Sequence, residues 1–203
     1  FRDASLRAGL AMGTLVSTVM MATLVVGPFY LARALGLDAA MVGLVLAAGP
    51  VAAALTGVPA GKLAARFGAP RMTAVGLAVA TLGCTALALL PTACGIPGYI
   101  GPMVLVTVGY ALFQTANNTA VMADVRADQR GVVSGLLNLS RNLGLVTGAS
   151  VMGAVFAYAA AATDIRTAQP EAVAHVLRVT FAVAAVLVAV ALAIALAGRA
   201  RAR

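Results

Sequence analysis

The sequence predicts an all-α integral membrane protein of six transmembrane helices. Composition points there first: the chain is 62% hydrophobic and 10% charged, with a mean hydropathy of +1.01, far above the level of a soluble domain. Six apolar runs are each long enough to cross roughly 30 Å of hydrocarbon. None shows the alternation of a strand, and backbone in lipid must satisfy its own hydrogen bonds, so the runs are helices.

The six spans fall at residues 8–32, 39–60, 72–90, 99–123, 132–161 and 179–197. The first carries Gly9, Gly13 and Ser17 at four-residue spacing, the step that lets helices approach closely in lipid. It also bears a hydroxyl stripe of Thr14, Ser17 and Thr18. Span two holds the longest ladder of small residues, Gly49, Ala53, Gly57 and Gly61, read as a close-packing seam. Span three has only scattered threonines and Cys84. Along span four, Thr107, Tyr110, Gln114, Asn117 and Asn118 recur at steps of three and four, which makes one stripe. The fifth repeats the pattern with Ser134, Asn138, Arg141 and Asn142, beside the pairs Gly131–Gly135 and Gly144–Gly148. The last span, VTFAVAAVLVAVALAIALA, is unbroken. Polar groups in hydrocarbon face a partner or water. Spans one, two, four and five are therefore expected around an interior, with three and six outside against lipid.

Charge sets direction. With the N-terminus inside, one side of the membrane holds Arg2, Arg7, Lys62, Arg66, Arg71, Arg126, Arg130, Arg199, Arg201 and Arg203; the other holds Arg33, Arg166 and Arg178. Cations gather on the cytoplasmic side, so both termini of the chain are expected there. The formal charge of +8 reads as this topology signal. No basic stripe interleaved with aromatics points to nucleic acid. The opening FRDASLR is neither an initiator methionine nor a signal peptide, which suggests a piece of a longer protein.

Arg141 is the most informative residue, about ten positions inside its span and so roughly 15 Å deep. Two roles are open to it: knitting helices together through amides and carbonyls, or lining a substrate path. The amide stripes of spans four and five are placed to meet across adjacent helices. Asp3, Asp38, Asp124, Asp128, Asp164 and Glu171 all lie in loops or at helix ends, and His175 sits by the outer end of span six. No metal-ligand set, nucleophile–base pair or phosphate loop occurs, so neither an enzyme nor a metal site is expected. Cys84 and Cys94 fit neither a metal cluster nor a disulfide framework.

The stretch GKLAARFGAPR, 61 to 71, resembles the cytoplasmic loop motif of the major facilitator superfamily, roughly G-x-L-A-D-R-x-G-R-R-x. Gly61, Leu63, Ala64, Arg66 and Gly68 match; Ala65 replaces the family's acid, and Arg71 falls one place late. Residues 112–156, with the pattern R-G-x-x-S-G-x-x-N-x-S-R from Arg130 to Arg141, are similar to the corresponding helices of bacterial drug:proton antiporters. The resemblance implies one half-bundle of a major facilitator fold (a 3+3 inverted repeat), residues 1–203 being the C-terminal six-helix domain. It implies a multi-pass transporter of the bacterial inner membrane, working with an N-terminal half of the same protein. The activity implied is proton-coupled efflux of drugs or small metabolites by alternating access, with the proton gradient and no cofactor as energy source. Uptake or exchange of a polar metabolite is the second reading, and a non-transporting scaffold the third. The expected partners are thus a small-molecule substrate and the lipid bilayer. Path candidates are Arg141, Asn138, Asn142, Gln114, Asn117, Asn118, Tyr110, Thr14, Ser17 and Thr18. The cytoplasmic loop contributes Gly61, Lys62, Arg66, Gly68 and Arg71, with Asp124 or Asp128 as possible partners of its cations.

Overall fold

The computed structural model describes residues 4–91, 94–123, 125–161 and 170–201. Six helices follow in order: α1 (Ala4–Phe29), α2 (Ala39–Phe67), α3 (Ala69–Ala88), α4 (Gly95–Met122), α5 (Arg130–Ala161) and α6 (Pro170–Arg201). A π-helical turn, Tyr30–Ala34, extends α1 just past Pro28. That proline lacks an N–H and crowds the carbonyl one turn earlier, so the ladder widens there.

The helices run beyond the apolar spans, since charged residues at the headgroup level do not stop a helix. The 61–71 stretch shows this most clearly, for it is not a loop. Helix α2 continues to Phe67, and α3 begins at Ala69 with Pro70 in its first turn. The whole reversal is made at Gly68, whose φ of +88° favours a residue without Cβ. Asp38 starts α2 by accepting a 2.8 Å hydrogen bond from the Met41 amide.

Among the described residues, five helices are long and apolar enough to cross a membrane. The exception is α5, which at 32 residues reaches about 48 Å. Its length suffices, and its polar stripe lies in the N-terminal half, ahead of an apolar run that begins at Leu143.

Packing partners follow a pattern that maps onto itself when α1, α2 and α3 are exchanged for α4, α5 and α6. Helix α1 packs on α5 and α6, as α4 packs on α2 and α3, while α3 and α6 pack on each other. Odd-number spacing makes α1 and α4 antiparallel, so the two triplets form an inverted repeat. Exposed apolar residues keep the same register: Leu44, Val51, Leu55 and Val58 on α2, and Val132, Leu139, Leu143 and Val146 on α5.

Helices α3 and α6 form the far layer, α1 and α4 the middle, and α2 and α5 flank the near side. That far position does not leave α3 and α6 uncovered within the bundle. Each buries a full face, Leu77, Ala80, Cys84 and Leu87 on one and Leu177, Phe181, Ala184, Val188 and Ala191 on the other. The least covered helices are α2 and α5.

Glycine seams account for the closest crossings. A Cβ on Gly76 would lie 2.5 Å from the Phe113 amide nitrogen, and one on Gly109 2.5 Å from that of Ala80. Gly83 meets Val106 in the same α3–α4 seam. The pair Gly144–Gly148 seats α5 on the backbone of Thr14 and Thr18, and Gly9 lies against Val121 and Asn117 of α4. The α2 ladder behaves differently from its sequence reading. Gly49 touches Met103 and Thr107, whereas Gly57 and Gly61, like Gly131 and Gly135, have nothing within 4 Å of a would-be Cβ. Four-residue spacing shows where helices can approach, and here no described helix uses those positions.

Candidate functional site

A cavity of about 310 Å³ lies between α4 and α5, lined by Gln114, Asn118, Met122, Ser134, Leu137, Asn138 and Arg141. The helical step builds it. On α4, Tyr110, Gln114, Asn118 and Met122 follow each other four residues apart and share a face. On α5, Ser134, Leu137, Asn138 and Arg141, related by steps of three and four, likewise share a face. The two polar stripes meet across the interface.

Arg141 is solvent-exposed in this bundle and donates from Nε to the Tyr110 hydroxyl at 3.2 Å. Among the described residues it has no carboxylate partner; the ion pair present is Arg126–Asp128 at 3.1 Å. Asn142 donates from Nδ2 to Oδ1 of Asn138 at 3.4 Å, which leaves the Asn138 amide nitrogen uncommitted. The side-chain oxygens of Gln114 and Asn118 are buried without a donor.

Other path candidates point elsewhere. Asn117 is one position from Asn118, and so about 100° around the helix. It is 2% exposed and donates to the Gly9 carbonyl at 3.2 Å, tying α4 to α1. Thr14 and Thr18 tie α1 to α5. The Thr14 hydroxyl lies 3.0 Å from that of Ser140, and Thr18 donates to the Gly144 carbonyl at 3.1 Å. Ser17 is fully buried beside Gly144, its hydroxyl without a partner. The sequence stripes thus divide into a cavity set and a helix-joining set.

Ser140 was not singled out as a site residue by sequence, yet it donates to the Leu10 carbonyl at 2.7 Å and fixes the residue beside Arg141. Its place in the Gly144–Gly148 row, four residues before Gly144, was the available signal. Met122 completes the four-step series from Tyr110 in the same way.

At the α2–α3 turn, Lys62, Arg66 and Arg71 are exposed, and the Arg66 guanidinium sits 5.3 Å from the centroid of the Phe67 ring. Asp128, expected as a partner of these cations, instead receives both Nε and Nη2 of Arg126, at 3.2 and 3.1 Å. Two positions apart on an exposed turn, the pair forms more readily than a contact across loops. Asp124 lies outside the described residues.

The family profile described as Major Facilitator Superfamily matches residues 9–202. The chain belongs to the Major Facilitator Superfamily. Its relatives include the "Uncharacterized transporter YebQ" of Escherichia coli (strain K12), 34% identical over 125 residues, 62% of this chain and 27% of that protein. The "Multidrug efflux pump LfrA" of Mycolicibacterium smegmatis (strain ATCC 700084 / mc(2)155) is 29% identical over 127 residues, 63% of this chain and 25% of that protein. Among solved structures, the proton:xylose symporter XylE of E. coli superposes with a TM-score of 0.73 at 13% identity, covering 96% of this chain and 44% of that one. The matched part is thus about a quarter of each curated relative and less than half of the solved transporter. Fold and relatives are those of transporters, not enzymes, and the helix order agrees with one half of a major facilitator fold.

Proposed function

We propose that this chain is the C-terminal six-helix half of a secondary active transporter that exports drugs or small metabolites by alternating access in exchange for protons. The observation that carries the reading is the polar cavity between α4 and α5, with an arginine well inside a helix of a major facilitator chain. Intramembrane charge is costly and is kept where it meets substrate or water. The exposed apolar rows of α2 and α5 suit docking of a second bundle. Kinship with LfrA favours export. The multi-pass chain is assigned to the bacterial inner membrane with both termini cytoplasmic, on the bias of its cations.

The described carboxylates, Asp38, Asp128 and Glu171, lie at helix ends. The proton carrier is therefore assigned to the N-terminal half.

The decisive assay is gradient-dependent efflux from everted vesicles bearing the full-length protein. Accumulation that stops on adding an uncoupler supports the proposal, and accumulation indifferent to it rejects proton coupling. Arg141→Ala is expected to lower transport by about tenfold or more, the loss of a charged hydrogen bond, while folded protein stays near wild-type. If only the amount of folded protein falls, Arg141 joins helices and does not serve transport. Uptake or exchange of a polar metabolite is the second reading, favoured by the amide-rich wall; inward, substrate-driven counterflow would establish it.

A further inference from the structure

Resting on the transporter reading, we infer that the α4–α5 cavity selects amphipathic organic anions and rejects organic cations. Charge decides first. Arg141 keeps its guanidinium on the cavity wall, and only Nε is engaged, by a neutral hydroxyl at 3.2 Å. No described carboxylate neutralises it; Asp38, Asp128 and Glu171 sit at helix ends. As water leaves a closing site, an unpaired guanidinium becomes steeply unfavourable. A cationic ligand adds repulsion to that cost, and a carboxylate or similar anion removes it through the two terminal nitrogens.

The neighbouring groups agree with the charge. Asn138 has its amide oxygen occupied by Asn142, so its nitrogen is the free end. Gln114 and Asn118 line the same cavity, and their side-chain oxygens are buried, out of a ligand's reach. The wall is thus rich in donors and poor in acceptors. Leu137 and Met122 supply the apolar remainder, and Met adapts to varied shapes. A ligand that fits carries an anionic or acceptor-rich head against Arg141 and an apolar body toward Met122.

The test uses two xanthene dyes of similar size and opposite charge, carboxyfluorescein and rhodamine 123, with purified full-length transporter and fluorescence anisotropy. Carboxyfluorescein is expected to bind at least about tenfold more tightly, and Arg141→Gln to remove about that factor. Arg141→Lys, which keeps the charge, should retain most of the affinity. Equal or tighter binding of rhodamine 123, absence of carboxyfluorescein binding, or indifference to Arg141→Gln would overturn the inference. Should Arg141→Gln fail to fold, the wild-type dye comparison and Arg141→Lys still decide. Dye flux in proteoliposomes separates the two claims. Flux of rhodamine 123 without carboxyfluorescein binding removes anion selection and leaves the transporter reading intact. Arg141-dependent carboxyfluorescein binding without flux of either dye keeps anion selection and counts against transport.

Discussion

Gly109→Ala tests whether the α3–α4 seam is as tight as its backbone distances indicate. The new Cβ would lie 2.5 Å from the Ala80 nitrogen, 2.7 Å from the Gly76 oxygen and 2.9 Å from the Ala80 Cα, where ordinary contact begins at 3.4 Å. All three neighbours are backbone, so no rotamer change relieves the clash. The helices must part by up to about 0.9 Å, which also loosens Leu77, Cys84, Val106 and Phe113 in the buried core. Overpacking of this kind costs about 1–3 kcal/mol. For a chain of this size that is about 2–12 °C in melting temperature on soluble-domain scaling. Gly101 is the control: it lies on the same helix with nothing within 4 Å, so Gly101→Ala should be neutral or slightly stabilising. The measurement is the loss of monodisperse protein on heating in mild detergent. If Gly109→Ala melts together with Gly101→Ala, the seam is not backbone-tight and the packing argument fails.

Three further outcomes use the same melt. Asn117→Ala removes the bond to the Gly9 carbonyl and should destabilise by about 0.6 kcal/mol, the average for interhelical hydrogen bonds in bilayers, and by at most about 1.7 kcal/mol; Asn118→Ala, on the cavity side, should leave the melt unchanged. The Tyr99 hydroxyl is buried without a partner, so Tyr99→Phe should leave stability unchanged or raise it, and a clear loss would reveal an unseen bond. Asp128→Asn breaks an exposed pair with Arg126, 61% and 76% accessible, and should shift stability by less than about 1 kcal/mol. A larger loss would show that Asp128 serves as a structural latch.

The number and class of helices were legible because each apolar run must be long enough for the bilayer, and few sequences satisfy that by accident. The cavity was legible in outline, since polar residues at steps of three and four mark a face. Which of two adjacent asparagines faces the cavity was not: Asn117 and Asn118 are chemically identical, and only the neighbouring Gly9 decides. The glycine seams were hardest. The best repeat, Gly49 to Gly61, is open over half its length, while one tight crossing uses Gly76, Gly83 and Gly109 on two helices. Spacing along one helix carries no information about the partner's register. Nor did charge reveal where α2 ends, since it is Gly68, not the cations around it, that turns the chain.

The two halves of the inverted repeat carry different chemistry on matching helices, and Arg141 stands where they join. Helix α1 uses its hydroxyls to hold α5: Thr14 and Thr18 reach Ser140 and Gly144, and Ser140 returns a 2.7 Å bond to Leu10. Helix α4 instead leaves Gln114 and Asn118 facing the cavity and commits Asn117 to α1. Residues 140 and 141 therefore belong to opposite edges of α5, one bonded into a crossing of glycines and hydroxyls, the next open to the cavity. A long cationic side chain needs its backbone fixed if its head is to meet a ligand in one geometry. The α1–α5 seam supplies that fixed backbone, and the Tyr110 hydroxyl steadies the guanidinium from the other wall. Helix-joining and substrate-lining are thus two faces of one element, and the close packing of the first is what gives the second its reach.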